Sequence, residues 1–170
     1  MANHFILDGT YNISADRFWK ELYFSAEYTR DLLCHGLKHL DVKLIRNEEK
    51  EDGSWLRCFE VVPDLTMPRA IQKLIGSRFH FVEEGVFDPA ERRYRSDSFI
   101  KERPNIVSIK TGLQVHPISP TQCQRRVSID INCSLFGIGS LVETTTRKML
   151  TDQYERGLAY TNTWLKQNQK

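Results

Sequence analysis

Apolar and polar residues change rhythm several times along the chain, and each change marks an element. His4 to Tyr11 carries Phe5, Ile6 and Leu7 ahead of Gly9 and reads as a first strand. Ser14 is a good N-cap, and Asp16 stands in the first turn, where the helix dipole favours an anion. Phe18, Trp19, Leu22 and Tyr23 then recur at helical spacing. Ser25 can cap a second short helix over 26–34 with Tyr28, Leu32 and Leu33, stopped by Gly36. From His39 the period falls to two: Leu40, Val42 and Leu44 alternate with Asp41, Lys43 and Ile45. A charged turn over 48–53 leads to a strand from Trp55 to Val62, ended by Pro63.

The stretch from Leu65 to Gly76 breaks the strand rhythm. Met67, Ile71, Leu74 and Ile75 fall on one helical face, Pro68 suits a first turn and Gly76 ends the run. Four strand-like runs follow, Arg78–Phe87, Arg92–Lys101, Ile106–His116 and Gln122–Leu135. The last two alternate most clearly. Val107, Ile109, Leu113 and Val115 share a face, and Val127, Ile129, Ile131, Cys133 and Leu135 share another, which predicts an antiparallel sheet with one wet side. After a Gly137–Gly139 hinge, Ser140 and Glu143 match a capping box opening a helix that can run to about Lys166, about 38 Å at 1.5 Å per residue. Its inward stripe is Val142, Thr146, Met149, Leu150, Gln153, Tyr154, Gly157, Leu158, Thr161, Trp164 and Leu165.

Composition narrows the class. The 170 residues suit one domain spanning 1–170, and 40% hydrophobic with 27% charged residues argues against disorder. A net charge of +2 gives no bulk attraction to nucleic acid or anionic membrane. The sequence has no run long enough for a membrane-spanning helix, and its first residues lack the features of a signal peptide. It therefore reads as cytoplasmic. Cys34, Cys58, Cys123 and Cys133 form no CxxC pair, so a zinc site is not indicated. Cys123 and Cys133 are ten residues apart on one predicted strand, about 33 Å, whereas a disulfide needs Cα atoms within about 7 Å. Buried free thiols are the plain reading.

The order is strand, two short helices, two strands, a helical insertion near 66–76, four strands and one long helix. An apolar sheet face needs a cover, and the long helix supplies it. This α+β arrangement resembles the START-like superfamily, also called the SRPBCC or Bet-v-allergen-like helix-grip fold. There, a curved antiparallel sheet of about seven strands wraps a long C-terminal helix. The resemblance rests on Phe18-Trp19 with Glu27-Tyr28, on Val62-Pro63 leading into the run from Met67 to Gly76, and on Phe136-Gly137-Ile138-Gly139-Ser140-Leu141-Val142-Glu143. Within the superfamily the chain looks like an uncharacterised family of START-like domains. The resemblance implies a cavity for a lipid, sterol or other apolar molecule. The fold alone does not fix the function, since enzymes and protein-binding modules share it.

Such a cavity would be lined by Trp55, Arg57, Phe59, Phe79, Phe81, Ile109, Leu113, Ile129, Ile131, Met149, Gln153 and Gly157, which otherwise pack a solid core. Arg57 shares a face with Trp55 and Phe59 and could clamp a carboxylate or phosphate head group, unless a bulge or the opposite burial turns it outward. The insertion could act as a gate. Met67, Ile71, Leu74 and Ile75 would face cavity or lipid, and Arg69 and Lys73 would touch phosphates in a transient, peripheral membrane contact; the alternative is a helix packed on the sheet edge.

Asp31, His35 and His39 have the spacing of metal ligands on one helix, but Gly36 interrupts it. No metal or cofactor is implied. Glu83 and Glu84 must point to opposite faces, and a buried one could serve as acid or base, as could His80 or Tyr154. The basic cluster Arg92, Arg93, Arg95, Lys101, Arg125 and Arg126 is spread over both faces and offset by acids, so nucleic acid is a poor partner. A carrier or sensor of an apolar molecule leads, ahead of an enzyme of cyclase or hydrolase type and a protein-interaction module.

Overall fold

A computed structural model describes residues 3–65 and 67–168. Thr66, at the start of the predicted insertion, lies outside the described residues. Seven antiparallel strands form one sheet: β1 (Asn3–Tyr11), β2 (Asp41–Glu49), β3 (Trp55–Val62), β4 (Phe81–Asp88), β5 (Arg93–Ile100), β6 (Val107–Ser119) and β7 (Gln122–Cys133). Their order is β1-β7-β6-β5-β4-β3-β2. Strands β2 to β7 form a meander, and β1 returns to pair with β7. The chain therefore crosses from one sheet edge to the other between β1 and β2.

Two short helices make that crossing. The first is α1 (Ala15–Arg17), continued as π-helical turns over Phe18–Tyr23; the second is α2 (Ala26–Asp31), continued over Leu32–Gly36. Both start at the predicted caps: Ser14 Oγ accepts the Arg17 N–H at 3.4 Å, and Ser25 Oγ accepts the Tyr28 N–H at 3.1 Å. Phe18, Trp19 and Leu22 are buried, which fixes α1 to the sheet. The insertion forms α3 (Arg69–Ile75), and the final helix is α4 (Gly139–Asn168). The whole is a START-like helix grip. No helix among the described residues is long and apolar enough to cross a membrane.

Two local readings need correction, the capping box and the burial of Cys34, and β2 carries a bulge that its alternation does not announce. Helix α4 already begins at Gly139, so Ser140 lies inside its first turn. Glu143 Oε1 accepts the Cys133 N–H at 3.2 Å, joining the helix start to the end of β7 in place of a capping box. In β2 the register shifts between Leu44 and Arg46, and the intervening Ile45 is exposed. Beyond it Arg46 pairs with Cys58 and Asn47 with Arg57; Asn47 Nδ2 then donates to Phe24 O at 2.7 Å, anchoring the α1–α2 turn. All four cysteines are free thiols, but Cys34 on α2 is exposed, because the buried side of that helix is taken by Tyr28, Thr29 and Leu33.

Candidate functional site

Inward side chains of the sheet form rows across the strands, since alternate residues share a face and paired residues stand opposite. The row near α3 is Val61–Phe81–Ile100. Next come Phe59–Glu83–Ser98–Ile109–Ile131 and Arg57–Gly85–Ser96–Thr111–Ile129–Phe5. The fourth is Trp55–Phe87–Tyr94–Leu113–Val127–Leu7. Over these rows, beneath α3 and α4, lies a cavity of about 480 Å³.

Arg57, Phe59, Phe79, Phe81, Ile109, Ile129, Met149, Gln153 and Gly157 stand in its wall. Trp55, Leu113 and Ile131 do not. Trp55 stacks on Phe24 with ring centroids 4.5 Å apart, within an aromatic cluster that includes Trp19 and Phe87. Leu113 and Ile131 are fully buried in packed core. The Trp55 end of that row is thus filled by aromatic rings carried on and after α1, while its other end, Val127 and Leu7, reaches the cavity.

The wall changes character along its length. Under α3 it is apolar: Met67, Ile71, Leu74 and Ile75 all reach the cavity, and Ile71 is only 3% exposed. Arg69 and Lys73 are exposed on the outer side. The apolar side of the helix therefore covers the cavity, so it is not available to a membrane in this conformation.

The other end is polar. Arg57 is 8% exposed; its Nη2 donates to Thr29 Oγ1 at 3.1 Å, and its Cζ lies 4.5 Å from the Tyr23 ring centroid and 5.2 Å from that of Phe59. Arg125 reaches in from β7. Its Nη1 donates to Tyr11 Oη at 3.2 Å, and its Cζ lies 5.0 Å from the Tyr154 centroid and 5.9 Å from that of Tyr23. Glu83 lines the same space and accepts a hydrogen bond from Tyr94 Oη at 3.0 Å. Tyr94 can cross to Glu83 because Gly85 stands between them: a Cβ there would lie 2.1 Å from Tyr94 Oη. Burial, with the Glu83 charge adding, pushes the Tyr23 phenol up to about 12 against the opposing pull of Arg57 and Arg125. Burial also raises Tyr94 and Tyr154, so these phenols are neutral at pH 7.

The remaining candidates disperse. Asp31 and His35 pair at 2.8 Å, but His39 turns into the cavity wall, where burial, with Arg156 adding, holds its imidazole down at about 4. Glu84 is exposed on the opposite sheet face. His80 lies outside the cavity wall and bonds Glu102 at 2.5 Å. Arg92 pairs with Asp16, Arg95 with Glu91, Lys101 with Glu60, and Arg126 with Asp8, so the sequence's basic cluster is largely paired with acids. Arg125 and Glu83 are the site residues that sequence reasoning did not single out for the cavity wall. Strand parity could have found Arg125, which shares a face with Val127 and Ile129, whereas Glu83 follows only from its register opposite Phe59 and Ser98.

Residues 7–165 match one protein family, described as a protein of unknown function, DUF2505. No curated protein matches the chain by sequence. Among solved structures, the Zhui aromatase/cyclase from Streptomyces sp. R1128 is similar at TM-score 0.70 and 12% identity, over 100% of this chain and 97% of the other. Norcoclaurine synthase from Thalictrum flavum, in complex with dopamine and hydroxybenzaldehyde, gives 0.65 and 12%, over 100% and 89%. A START superfamily protein from Mycobacterium smegmatis gives 0.61 and 12%, over 95% and 98%. These likenesses establish the fold.

Proposed function

The chain belongs to the DUF2505 family, and from that premise we propose that it binds a hydrophobic small molecule in the cavity and carries or senses it. In this reading α3 is the movable cover and Arg57 meets the polar end of the ligand. The observation that carries it is the cavity itself: about 480 Å³ of interior space, walled mainly by aliphatic and aromatic side chains and roofed by an apolar helix face. Pockets of this size and character hold small molecules. Removing about 300 Å² of apolar ligand surface from water would contribute about 7 kcal/mol before the cost of association. A lipid is the natural chemical class, and opening α3 near a membrane surface would expose its apolar side together with Arg69 and Lys73.

A second reading has one observation of its own. Glu83, Tyr23 and Arg57 meet at one end of the cavity, as titratable groups would in an enzyme acting on an apolar substrate. The aromatase/cyclase and norcoclaurine synthase share the fold and lend this reading support. A protein-interaction module with a filled core is the reading that the cavity disfavours.

Native mass spectrometry of the protein purified from its own cells tests the proposal. A co-purifying apolar species is the expected result. Consistently empty protein that takes up nothing from a lipid panel would sink it. Release of the captured molecule chemically altered, after incubation, would move the assignment to the enzyme reading.

A further inference from the structure

We infer that the cavity selects a monoanion, a hydrophobic carboxylic acid whose carboxylate lies between Arg57 and Arg125. This rests on the proposed binding of an apolar molecule in the same cavity and names its chemical class.

Two guanidinium groups in the cavity wall lack what a cation removed from water needs. Arg57 donates one hydrogen bond to Thr29, and its buried Nε has no partner. Arg125 donates one to Tyr11, and its buried Nε also has none. Neither forms an ion pair among the described residues. Arginine does not escape burial by releasing its proton. Both therefore stay charged, Arg57 buried and Arg125 half-buried, where removal from water costs up to several kcal/mol per ion. The surrounding rings of Tyr23, Phe59 and Tyr154 return only part of this, about 0.5–2 kcal/mol per cation–π contact. Both lie against the one Tyr23 ring in the cavity wall, and an anion placed between the two would complete them.

Charge then fixes the valence. Glu83 is the acid in this polar end, and it is occupied by Tyr94. Two guanidinium groups against one carboxylate leave one positive charge. His39 in the wall is neutral at pH 7, and Lys148 and Asp152, exposed at the rim, offset each other. One negative charge on the ligand balances the interior. A dianionic phosphate monoester would bring one charge too many, and a neutral alcohol or sterol would leave the arginines unmatched.

The test uses four compounds with one hydrocarbon tail, titrated into the intact protein by calorimetry at pH 7.5: dodecanoate, methyl dodecanoate, dodecanol and dodecyl phosphate. Dodecanoate should bind at least tenfold tighter than each of the others. Arg125→Met and Arg57→Met should each remove that preference and leave dodecanol affinity within about threefold. Glu83→Gln should improve dodecyl phosphate at least tenfold by deleting the opposing charge. Should the arginine variants fail to fold, the ligand series on wild type still decides. Equal affinity for dodecanoate and dodecanol overturns the inference and leaves the carrier reading standing. So does a preference for dodecyl phosphate, or an acid preference that survives in Arg125→Met. Binding of none of the four overturns both.

Discussion

Under α3 the cavity wall consists of Met67, Ile71, Leu74, Ile75 and Phe79, whereas around Tyr23 it consists of arginine, glutamate and phenol groups. The two ends also differ in how they are held. Helix α3 has seven residues and no side-chain N-cap, and it follows a stretch containing Pro63 and Pro68. Few backbone bonds need to break for it to swing away. The polar end is laced together by side chains: Tyr28 bonds Thr161, Tyr160 Oη donates to Asp31 at 2.6 Å, and Tyr154 Oη donates to Arg125 O at 3.1 Å. These bonds tie α2 and β7 to α4. The contrast divides the labour: the weakly held apolar end suits entry and release, and the rigid polar end suits recognition, where donors must already be in place.

The strongest way to break this division is at Gly85. Its absent side chain is what lets Tyr94 lie across β4 to reach Glu83. Tyr94 is fully buried and has little room to retreat. Gly85→Ala should therefore cost about 3 kcal/mol by overpacking. It should also release the Glu83 carboxylate and erase discrimination among ligand head groups. Urea unfolding reads the first effect and the ligand series reads the second. A variant as stable as wild type would show that the ring relaxes freely, and the polar end would then not be rigid.

At the other end, Ile71→Asp places a carboxylate where an isoleucine is 3% exposed. The loss should be about 2 kcal/mol, limited because α3 can open locally and let the new charge reach water. Hydrogen exchange should rise in residues 69–75 and stay protected around Tyr23 and Tyr94, and ligand release should speed up at least tenfold. Uniform loss of protection through both ends would mean that α3 belongs to the main cooperative unit and is no gate.

The difference between the ends also explains what the sequence made legible. The apolar end follows from periodicity alone, since Met67, Ile71, Leu74 and Ile75 announce one helical face and that face is the one turned inward. Arg57 was visible because strand parity places it with Trp55 and Phe59. Arg125 was hidden by Arg126: two adjacent arginines read as a surface cluster, although parity sends one to the cavity and the other to Asp8. Parity likewise separates Glu83 from Glu84 but cannot say which is inside until the register fixes Glu83 opposite Phe59 and Ser98. Trp55 and Leu113 carried no sequence mark to show that aromatic rings would fill their part of the row, because that depends on how α1 and α2 fold back across the sheet.

The smallest expected effect sharpens the comparison through pH. His39 stands beside the apolar end, since the Leu40 N–H bonds Val62 O at 2.8 Å, directly before Pro63. Its buried Nδ1 has no partner, and its imidazole is held at about 4 against about 6.5 in an unfolded chain. Between those values the unfolded state binds the proton and the folded state does not. The contribution is therefore complete above about pH 6.5 and is lost as pH falls toward 4. Each pH unit in that window is worth about 1.4 kcal/mol, reduced because the ring is partly exposed. Wild type should lose on the order of 1–2 kcal/mol from pH 7.5 to pH 4.5 beyond what His39→Gln loses. The arginines keep their charge throughout, so this difference should leave Arg57 and Arg125 unaffected. Urea unfolding of both proteins at the two pH values measures it. Parallel pH profiles would mean that His39 is solvated in the folded protein and that the apolar end already admits water.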